Sequence, residues 1–410
     1  MKFNILTFGC KVNQYESNMM KEKMLSSSFL FEENLDKADI IIVNTCSVTN
    51  VADKKCLKTI RKIKREYPEK VLAITGCSSQ NKQEIYEKLD ADILIGNKDK
   101  SKIADYIKEF LQTEKHVIKF YNERNLEFED MMINNYNHVR AFIKIEDGCD
   151  NFCSYCIIPF VRGSVRSKKF AEVINEAKIL AEKNHKEIVL TGIHTGRYES
   201  DNHDLTDLIN ALSKIEEIKR IRISSIEITE LNDKFLNMLK ENPKVCDHLH
   251  IPLQAGSNEI LKRMNRKYDL EFYENKIKEI RNIRPDISIS TDIIVGFPYE
   301  TDELFAECLK FSEKMEFSKI HVFPYSLREG TAAAQMDHQV PAEIKKNRVR
   351  KLIELSNKLE KNYIKKFKGK SLDILVEECN NNISIGHTSN YIKMEVSENL
   401  EIGQIYSRIL

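Results

Sequence analysis

The sequence lacks several features that would assign it to a particular class of protein. No stretch approaches the roughly 18 apolar residues that a membrane-spanning helix requires. The segment from Met1 to Phe8 is too short and too interrupted for a secretory signal peptide, so we expect a protein of the reducing cytoplasm without membrane attachment. Tryptophan is absent, which indicates nothing about function, and no charge of one sign dominates. With 64 Lys and Arg against 63 Asp and Glu, any basic surface must be local.

A disulfide framework is also excluded. The chain has 410 residues, enough for two or three domains with full cores. Its ten cysteines are many, but only three of them cluster. They are therefore better explained as thiols, some of them metal ligands.

The three clustered cysteines are Cys149, Cys153 and Cys156, spaced C-x3-C-x2-C. No fourth cysteine or nearby histidine completes the four ligands of a structural zinc site. Three thiolates on a short loop favour an iron–sulfur cluster with one open iron, which an amine and a carboxylate of a small molecule could chelate. The alternative is three structural thiols. A predicted strand at residues 141–146 leads into the loop, at the end of a strand where α/β folds place their chemistry.

Residues 1–112 alternate strands and helices, which predicts a flavodoxin-like parallel sheet with helices on both faces. The first three strands are followed by Cys10, Cys46 and Cys77, two of them directly after glycine. Because carboxyl ends of parallel strands share one edge, these cysteines should converge. Three buried core cysteines are the alternative, but their equivalent positions favour a second metal or cluster site.

The remaining chain divides into four segments. Residues 113–138 are interpreted as a linker that carries one strand around residues 116–120. Residues 139–340 contain six predicted strand–helix units, too few for a complete barrel, and predict an open (β/α)6 barrel. Residues 341–369 form a basic helix: Glu343 to Lys370 includes eleven Lys or Arg and three Glu. This is a solvated face or a polyanion contact. Residues 370–410 predict a small all-β, OB-like module.

The cysteine loop, with an aromatic residue before its last cysteine, resembles the radical S-adenosylmethionine superfamily. The longer string from Cys149 to Gly163 is similar to its methylthiotransferase branch. Further similar motifs are Gly9–Asn13, Asn44–Cys46, Thr75–Cys77, Leu190–Gly196, Arg222–Glu227, His248–Ser257 and Asp292–Thr301. The tail resembles a TRAM domain, a small RNA-binding barrel. The resemblance covers essentially the whole chain.

The resemblance implies a central radical S-adenosylmethionine domain with two 4Fe–4S clusters. Cys149, Cys153 and Cys156 would hold the cluster that binds S-adenosylmethionine, and Cys10, Cys46 and Cys77 an auxiliary cluster that presents sulfur. No side chain would act as an acid or base. An external electron donor of flavodoxin or ferredoxin type and a sulfur donor would be partners. The predicted cofactor contacts are Tyr155, Gly192, His194, Ser225, Glu227 and Gln254, each with a structural alternative such as a turn glycine.

The segments Asn44–Asp53, Val165–Ser167 and Gly386–Lys393 are most similar to the branch that methylthiolates N6-threonylcarbamoyladenosine beside the tRNA anticodon. The alternatives are action on isopentenyladenosine in tRNA or on a ribosomal protein, and a non-catalytic iron–sulfur RNA-binding protein. The tail is short for a TRAM domain, so its ability to bind RNA is in doubt. The residues Ser78–Gln80 are smaller than the branch pattern beside the auxiliary cluster.

Two further predictions concern single residues. Cys56 shares a helical stripe with Ile60 and Ile63, so it is predicted to lie in the core, although it falls between two proposed auxiliary ligands. Arg162 and Arg166 are predicted to make polar contacts, to phosphates or to carboxylates.

Overall fold

The N-terminal residues build a six-stranded sheet in which every pair of neighbouring strands is parallel. Its order, β2-β1-β3-β4-β5-β6, is a flavodoxin-like order with one extra edge strand. The strands are β1 Lys2–Thr7, β2 Leu30–Phe31, β3 Ile40–Thr45, β4 Val71–Gly76, β5 Ile93–Ile95 and β6 Val117–Lys119. The helices are α1 Lys11–Ser26, α2 Asn50–Glu66, α3 Cys77–Asn81, α4 Gln83–Glu87 and α5 Ile103–Thr113. β3 is buried along its whole length, as expected for a strand covered on both faces.

The computed structural model describes residues 1–47, 50–136 and 138–410. Val48 and Thr49 of the Asn44–Asp53 motif, and Asn137 at the end of the predicted linker, lie outside these residues. Within the predicted linker, β6 pairs with β5, so the sheet extends to Lys119. After β4 the chain forms the two short helices α3 and α4, the first of which begins directly at Cys77.

The central region contains the six predicted parallel strands, which confirms the partial barrel. They are β7 Arg140–Lys144, β10 Glu187–Thr191, β13 Arg220–Ile223, β14 His248–His250, β15 Ser288–Val295 and β16 Lys319–Pro324. They form the triplets β7-β10-β13 and β14-β15-β16, which a parallel bridge between Ile221 and Val245 connects. α1 packs on β7, so the N-terminal domain covers the open side of the barrel.

The other elements of this region surround the barrel. The helices are α6 Ile158–Val161, α7 Phe170–Glu182, α8 Leu205–Leu212, α9 Asp233–Glu241, α10 Asn258–Arg263, α11 Leu270–Ile283 and α12 Asp302–Lys314. Two short antiparallel pairs join β8 Glu146–Asp147 to β9 Arg166–Ser167 and β11 Glu199–Ser200 to β12 His203–Asp204. Apolar side chains between helices and strands form one continuous core with the inner face of the N-terminal sheet.

The C-terminal residues close the amino end of the barrel. Helix α13, Ala342–Lys365, packs on β16 through buried residues that include Leu352 and Leu359. The tail is a four-stranded antiparallel sheet of order β19-β18-β17-β20, formed by β17 Ser371–Asn380, β18 Ile383–Thr388, β19 Lys393–Val396 and β20 Ile405–Ile409. Arg220 and Arg222 at the start of β13 donate hydrogen bonds to its backbone carbonyls. None of the described helices is long and apolar enough to cross a membrane.

Candidate active site

Cys10, Cys46 and Cys77 meet at the carboxyl edge of the N-terminal sheet. They follow β1, β3 and β4, which are neighbours in that sheet. A Cβ atom built on Gly9 would lie 2.6 Å from the Cys46 sulfur. Cys10 also lies close enough to Cys77 for the two ionised sulfurs to repel each other. The structure therefore brings together the three cysteines that the sequence places at equivalent strand ends.

Glycines shape two of these turns. Gly9 and Gly76 precede Cys10 and Cys77 with φ of +106° and +112°, a conformation that L side chains rarely adopt. A Cβ atom on Gly76 would lie 2.3 Å from the carbonyl oxygen of Thr45, a backbone atom of the neighbouring strand. The Gly–Cys pairs thus allow the chain to turn against the next strand, so that each cysteine faces the same edge.

Gly76→Ala should lower the free energy of unfolding by clearly more than the roughly 1–2 kcal/mol that a positive φ alone costs, because the new methyl group collides with Thr45. The amount of iron that the protein binds should fall together with the free energy of unfolding. Gly403→Ala is the matched control: its φ is +85°, but no atom lies within 4 Å of the added Cβ. Urea unfolding and iron analysis of both variants test this. Equal losses in the two would contradict the role of the close approach.

The second cysteine set follows β8. Cys149, Cys153 and Cys156 lie on one loop in which the backbone N–H of Cys156 donates to the Cys153 carbonyl oxygen at 2.9 Å. All three sulfurs are near enough to repel one another when ionised. Burial raises the pKa of the Cys149 and Cys156 thiols to about 12. Thiolates at these positions therefore need a compensating positive charge, which bound metal provides.

The donor sets fit iron–sulfur clusters. Each set supplies three thiols, and in each an arginine N–H points at one sulfur. Arg162 Nε lies 3.3 Å from the Cys77 sulfur, and Arg266 Nη1 lies 3.4 Å from the Cys153 sulfur. Hydrogen bonds and positive charge at the sulfurs stabilise thiolate-ligated clusters and tune their potentials.

A cavity of about 200 Å³ lies beside the second cysteine set and reaches the turn that carries Cys46. Ser47, which follows Cys46, and Cys156 of the second set line it. Arg328, also in its wall, lies close enough to Cys46 and Cys156 for their charges to interact. The arrangement supports the prediction that two clusters would face a common space.

The predicted cofactor contacts lie around this cavity and the second cysteine set. Tyr155 and Gln254 line the cavity. Glu227 accepts a hydrogen bond from Arg266, the residue that points at Cys153. Ser225 is half-buried just beyond β13. Their roles toward a cofactor remain predictions.

Gly192 and His194 lie on the loop after β10. A Cβ atom on Gly192 would lie 2.8 Å from Glu146 Oε2, so glycine allows close approach to that carboxyl group. The ring Nδ1 of His194 is 3.7 Å from the Cys149 sulfur, and its Nε2 pairs with Glu230. Burial raises the pKa of Glu146 to about 8.

A buried charge network joins the N-terminal domain to the barrel, and sequence reasoning largely missed it. Glu16 of α1 accepts hydrogen bonds from Lys100, from Lys144 at 2.7 Å and from Arg162 at 2.8 Å. Asp147 accepts from Lys144 at 2.9 Å and Arg162 at 2.9 Å. The network ends at the Arg162–Cys77 contact, so it anchors the auxiliary cysteine set to the barrel.

The structure shows the partners of Arg162 and Arg166 and the burial of Cys56. Arg162 and Arg166 both pair with the carboxylate of Asp147, which settles their polar partners as carboxylates. Cys56 is fully buried, with its sulfur 4.0 Å from the Cys46 carbonyl oxygen. Burial raises the pKa of Cys56 to about 11, which favours a neutral thiol in the core.

Comparison with known proteins agrees with this geometry. The profile of the Radical SAM superfamily matches residues 143–312, and that of Uncharacterized protein family UPF0004 matches residues 2–96. Among solved structures, the fold is similar to the radical S-adenosylmethionine methyltransferase TsrM from Kitasatospora setae. The TM-score is 0.58 at 12% identity, over 81% of this chain and 76% of that one.

Curated relatives match nearly the whole chain. The threonylcarbamoyladenosine tRNA methylthiotransferase MtaB of Bacillus subtilis is 39% identical over 95% of this chain and 88% of that protein. The tRNA-2-methylthio-N(6)-dimethylallyladenosine synthase of Thermoanaerobacter sp. is 37% identical over 92% of this chain and 82% of that protein. With this identity over nearly full length, and with both cysteine sets in place, the chain belongs to the family of radical S-adenosylmethionine methylthiotransferases.

Proposed function

We propose that this protein adds a methylthio group to carbon 2 of N6-threonylcarbamoyladenosine beside the anticodon of tRNA. The observation that carries the proposal is one cavity that is lined by Cys156 of one three-cysteine set and by Ser47, the residue after Cys46 of the other, with Arg328 close to both cysteines. One set suits a radical reaction and the second suits insertion of sulfur. The similarity to MtaB, 39% over 95% of the chain, supports the choice of nucleoside.

Bound clusters and S-adenosylmethionine supply what side chains cannot: a 5′-deoxyadenosyl radical, the inserted sulfur and the transferred methyl group. Cys149, Cys153 and Cys156 would hold the cluster that binds S-adenosylmethionine. Cys10, Cys46 and Cys77 would hold the auxiliary cluster. An electron donor of flavodoxin or ferredoxin type and a sulfur donor complete the reaction.

The surrounding residues bind and orient. Tyr155 offers a flat face for the adenine of S-adenosylmethionine, and Gln254 lines the same cavity. Arg266 is fixed by Glu227, so its N–H remains directed at the Cys153 sulfur. Arg162 does the same for Cys77, held by Glu16 and Asp147. These groups position the reactants and moderate charge at the sulfurs, and none acts as an acid or base.

The C-terminal elements supply the RNA contact. α13 buries one face on β16 and presents many Lys and Arg on the other, which suits the phosphates of a stem-loop. The four-stranded tail is fixed to the barrel through Arg220 and Arg222. A tRNA substrate supports a cytoplasmic location for the reaction.

Nucleoside analysis of tRNA from a strain that lacks the gene tests the proposal. Mass spectrometry should show loss of the 2-methylthio derivative and accumulation of N6-threonylcarbamoyladenosine. Reintroduction of the wild-type chain should restore the product, and a Cys149→Ala variant should not. An unchanged level of the methylthio derivative in the deletion strain rules the substrate out.

The second candidate substrate is the dimethylallyl (isopentenyl) adenosine of tRNA. It is favoured by the 37% identity with the Thermoanaerobacter synthase. The same nucleoside profile separates the two candidates, because loss of 2-methylthio-isopentenyladenosine alone identifies this alternative. If tRNA is unchanged, mass analysis of ribosomal proteins for a missing methylthio group is the next test.

A further inference from the structure

A second cavity of about 470 Å³ lies in the barrel below the candidate active site. Its wall combines four parts of the chain, one of which is α13 with Glu360. Lys11 comes from α1, Arg222, His250 and His321 come from barrel strands, and Tyr391 comes from the tail. His250 also pairs with Asp292, which lines the upper cavity, at 3.2 Å. The two cavities therefore adjoin at the His250–Asp292 pair.

Lys11 is the cation in this wall that has no fixed partner. It is half-buried, and its Nζ makes no hydrogen bond or ion pair with any residue in the described ranges 1–47, 50–136 and 138–410. Arg222, in contrast, is held by Glu187 at 2.6 Å. A half-buried ammonium group has lost part of its hydration, and no anion among the described residues beside it compensates that loss, which points to an anionic ligand.

Glu360, the acidic side chain that lines the cavity, already pairs with Lys319 at 2.5 Å. The remaining field is positive. Although burial raises the pKa of Tyr391, the charges of Arg140, Lys11 and Arg222 outweigh it and lower the net value. An anion entering the cavity meets an attractive potential.

We propose that this cavity binds the carboxylate of the threonylcarbamoyl side chain, with Lys11 as the cation that selects it. The inference rests on the proposed function and names the residue that sets its substrate specificity. An isopentenyl group has no charge, so it would leave the Lys11 ammonium without a partner in the cavity. This cost would weaken the binding of isopentenyladenosine relative to threonylcarbamoyladenosine.

The position of Lys11 supports a side-chain carboxylate over a backbone phosphate. Lys11 directly follows Cys10, a ligand of the proposed auxiliary cluster, so the chain holds it next to the proposed site of sulfur insertion. Carbon 2 of the purine must reach that site. The threonyl carboxylate is attached to the same ring through N6, whereas the phosphates lie beyond the ribose.

Binding of anticodon stem-loop RNAs to the cluster-loaded enzyme tests the inference. Three RNAs differ only at the target base: threonylcarbamoyladenosine, its neutral methyl ester, and plain adenosine. Wild type should bind the acid about tenfold or more tighter than the ester, as expected for a charge-assisted contact. Lys11→Gln should remove this preference, Lys11→Arg should keep most of it, and the control Lys23→Gln on the same helix should not change it.

The outcomes separate the alternatives. If Lys11→Gln weakens the binding of all three RNAs equally, the residue contacts a phosphate and the inference is overturned. An acid-to-ester preference that survives in Lys11→Gln also overturns it. If wild type forms no methylthio product on the acid RNA at all, the proposed function fails instead, independently of the binding comparison.

Discussion

Cys77→Ala should reduce the iron content of the anaerobically reconstituted protein to about half and abolish methylthio transfer. It should still cleave S-adenosylmethionine to 5′-deoxyadenosine on reduction. The reason is that the two cysteine sets lie on different domains, so removing one ligand from the N-terminal set leaves the loop from Cys149 to Cys156 intact. Iron analysis, detection of 5′-deoxyadenosine and nucleoside mass spectrometry measure the three quantities separately.

The matched control is Cys56→Ala. Cys56 is a fully buried cysteine of the same domain, close to the carbonyl of Cys46, but its sulfur is a core thiol in our assignment. Its alanine variant should keep the full iron content and the product. If Cys56→Ala loses the cluster while Cys77→Ala keeps it, the assigned ligand set is wrong.

The sequence was sufficient to predict that Cys10, Cys46 and Cys77 converge because two simple rules act together. Strand–helix alternation implies parallel strands, and parallel strands end at one edge. Cys10, Cys46 and Cys77 are separated by 36 and 31 positions, yet each follows a strand, so topology alone brings them together.

The charge network could not be predicted from the sequence, and the reason is physical. A glutamate on a helix usually lies in solvent, and no local pattern distinguishes Glu16 from such a residue. Its partners Lys100 and Arg162 are 84 and 146 positions away, and they meet it only when the N-terminal domain packs on the barrel. The two-residue strand β2 was not predicted for a related reason: its pairing with β1 holds it more than its own composition does.

The same network predicts the second large effect, a loss in the free energy of unfolding of the Glu16→Ala variant. Removal of the carboxylate leaves Lys100 without its ion-pair partner, while Lys144 and Arg162 must share Asp147. All four of these side chains are buried. Breaking a buried pair by deleting one partner typically costs about 3–5 kcal/mol, because the remaining charge is left uncompensated. We expect a loss of this size in the free energy of unfolding.

The control is Glu313→Ala, which removes an exposed pair with Lys358 of similar length, 2.8 Å. Exposed pairs contribute only about 0–1 kcal/mol, so this variant should unfold almost like wild type. Urea unfolding of both variants measures the contrast. Similar losses in the two would show that burial of the network contributes nothing to its strength.

The pH dependence of Glu16→Ala provides an independent check. Burial opposes ionisation of Glu16, but Arg162, Lys100 and Lys144 outweigh it and hold its pKa below the ordinary 4.5. A depressed carboxyl pKa contributes stability that is present above pH 4.5 and is lost as the pH falls toward the folded-state value. The stability difference between wild type and Glu16→Ala should therefore be constant near neutral pH and shrink on acidification. A difference that grows below pH 4.5 would mean that the carboxyl group is protonated in the folded protein, and the network would then not anchor Arg162 to Cys77 by charge.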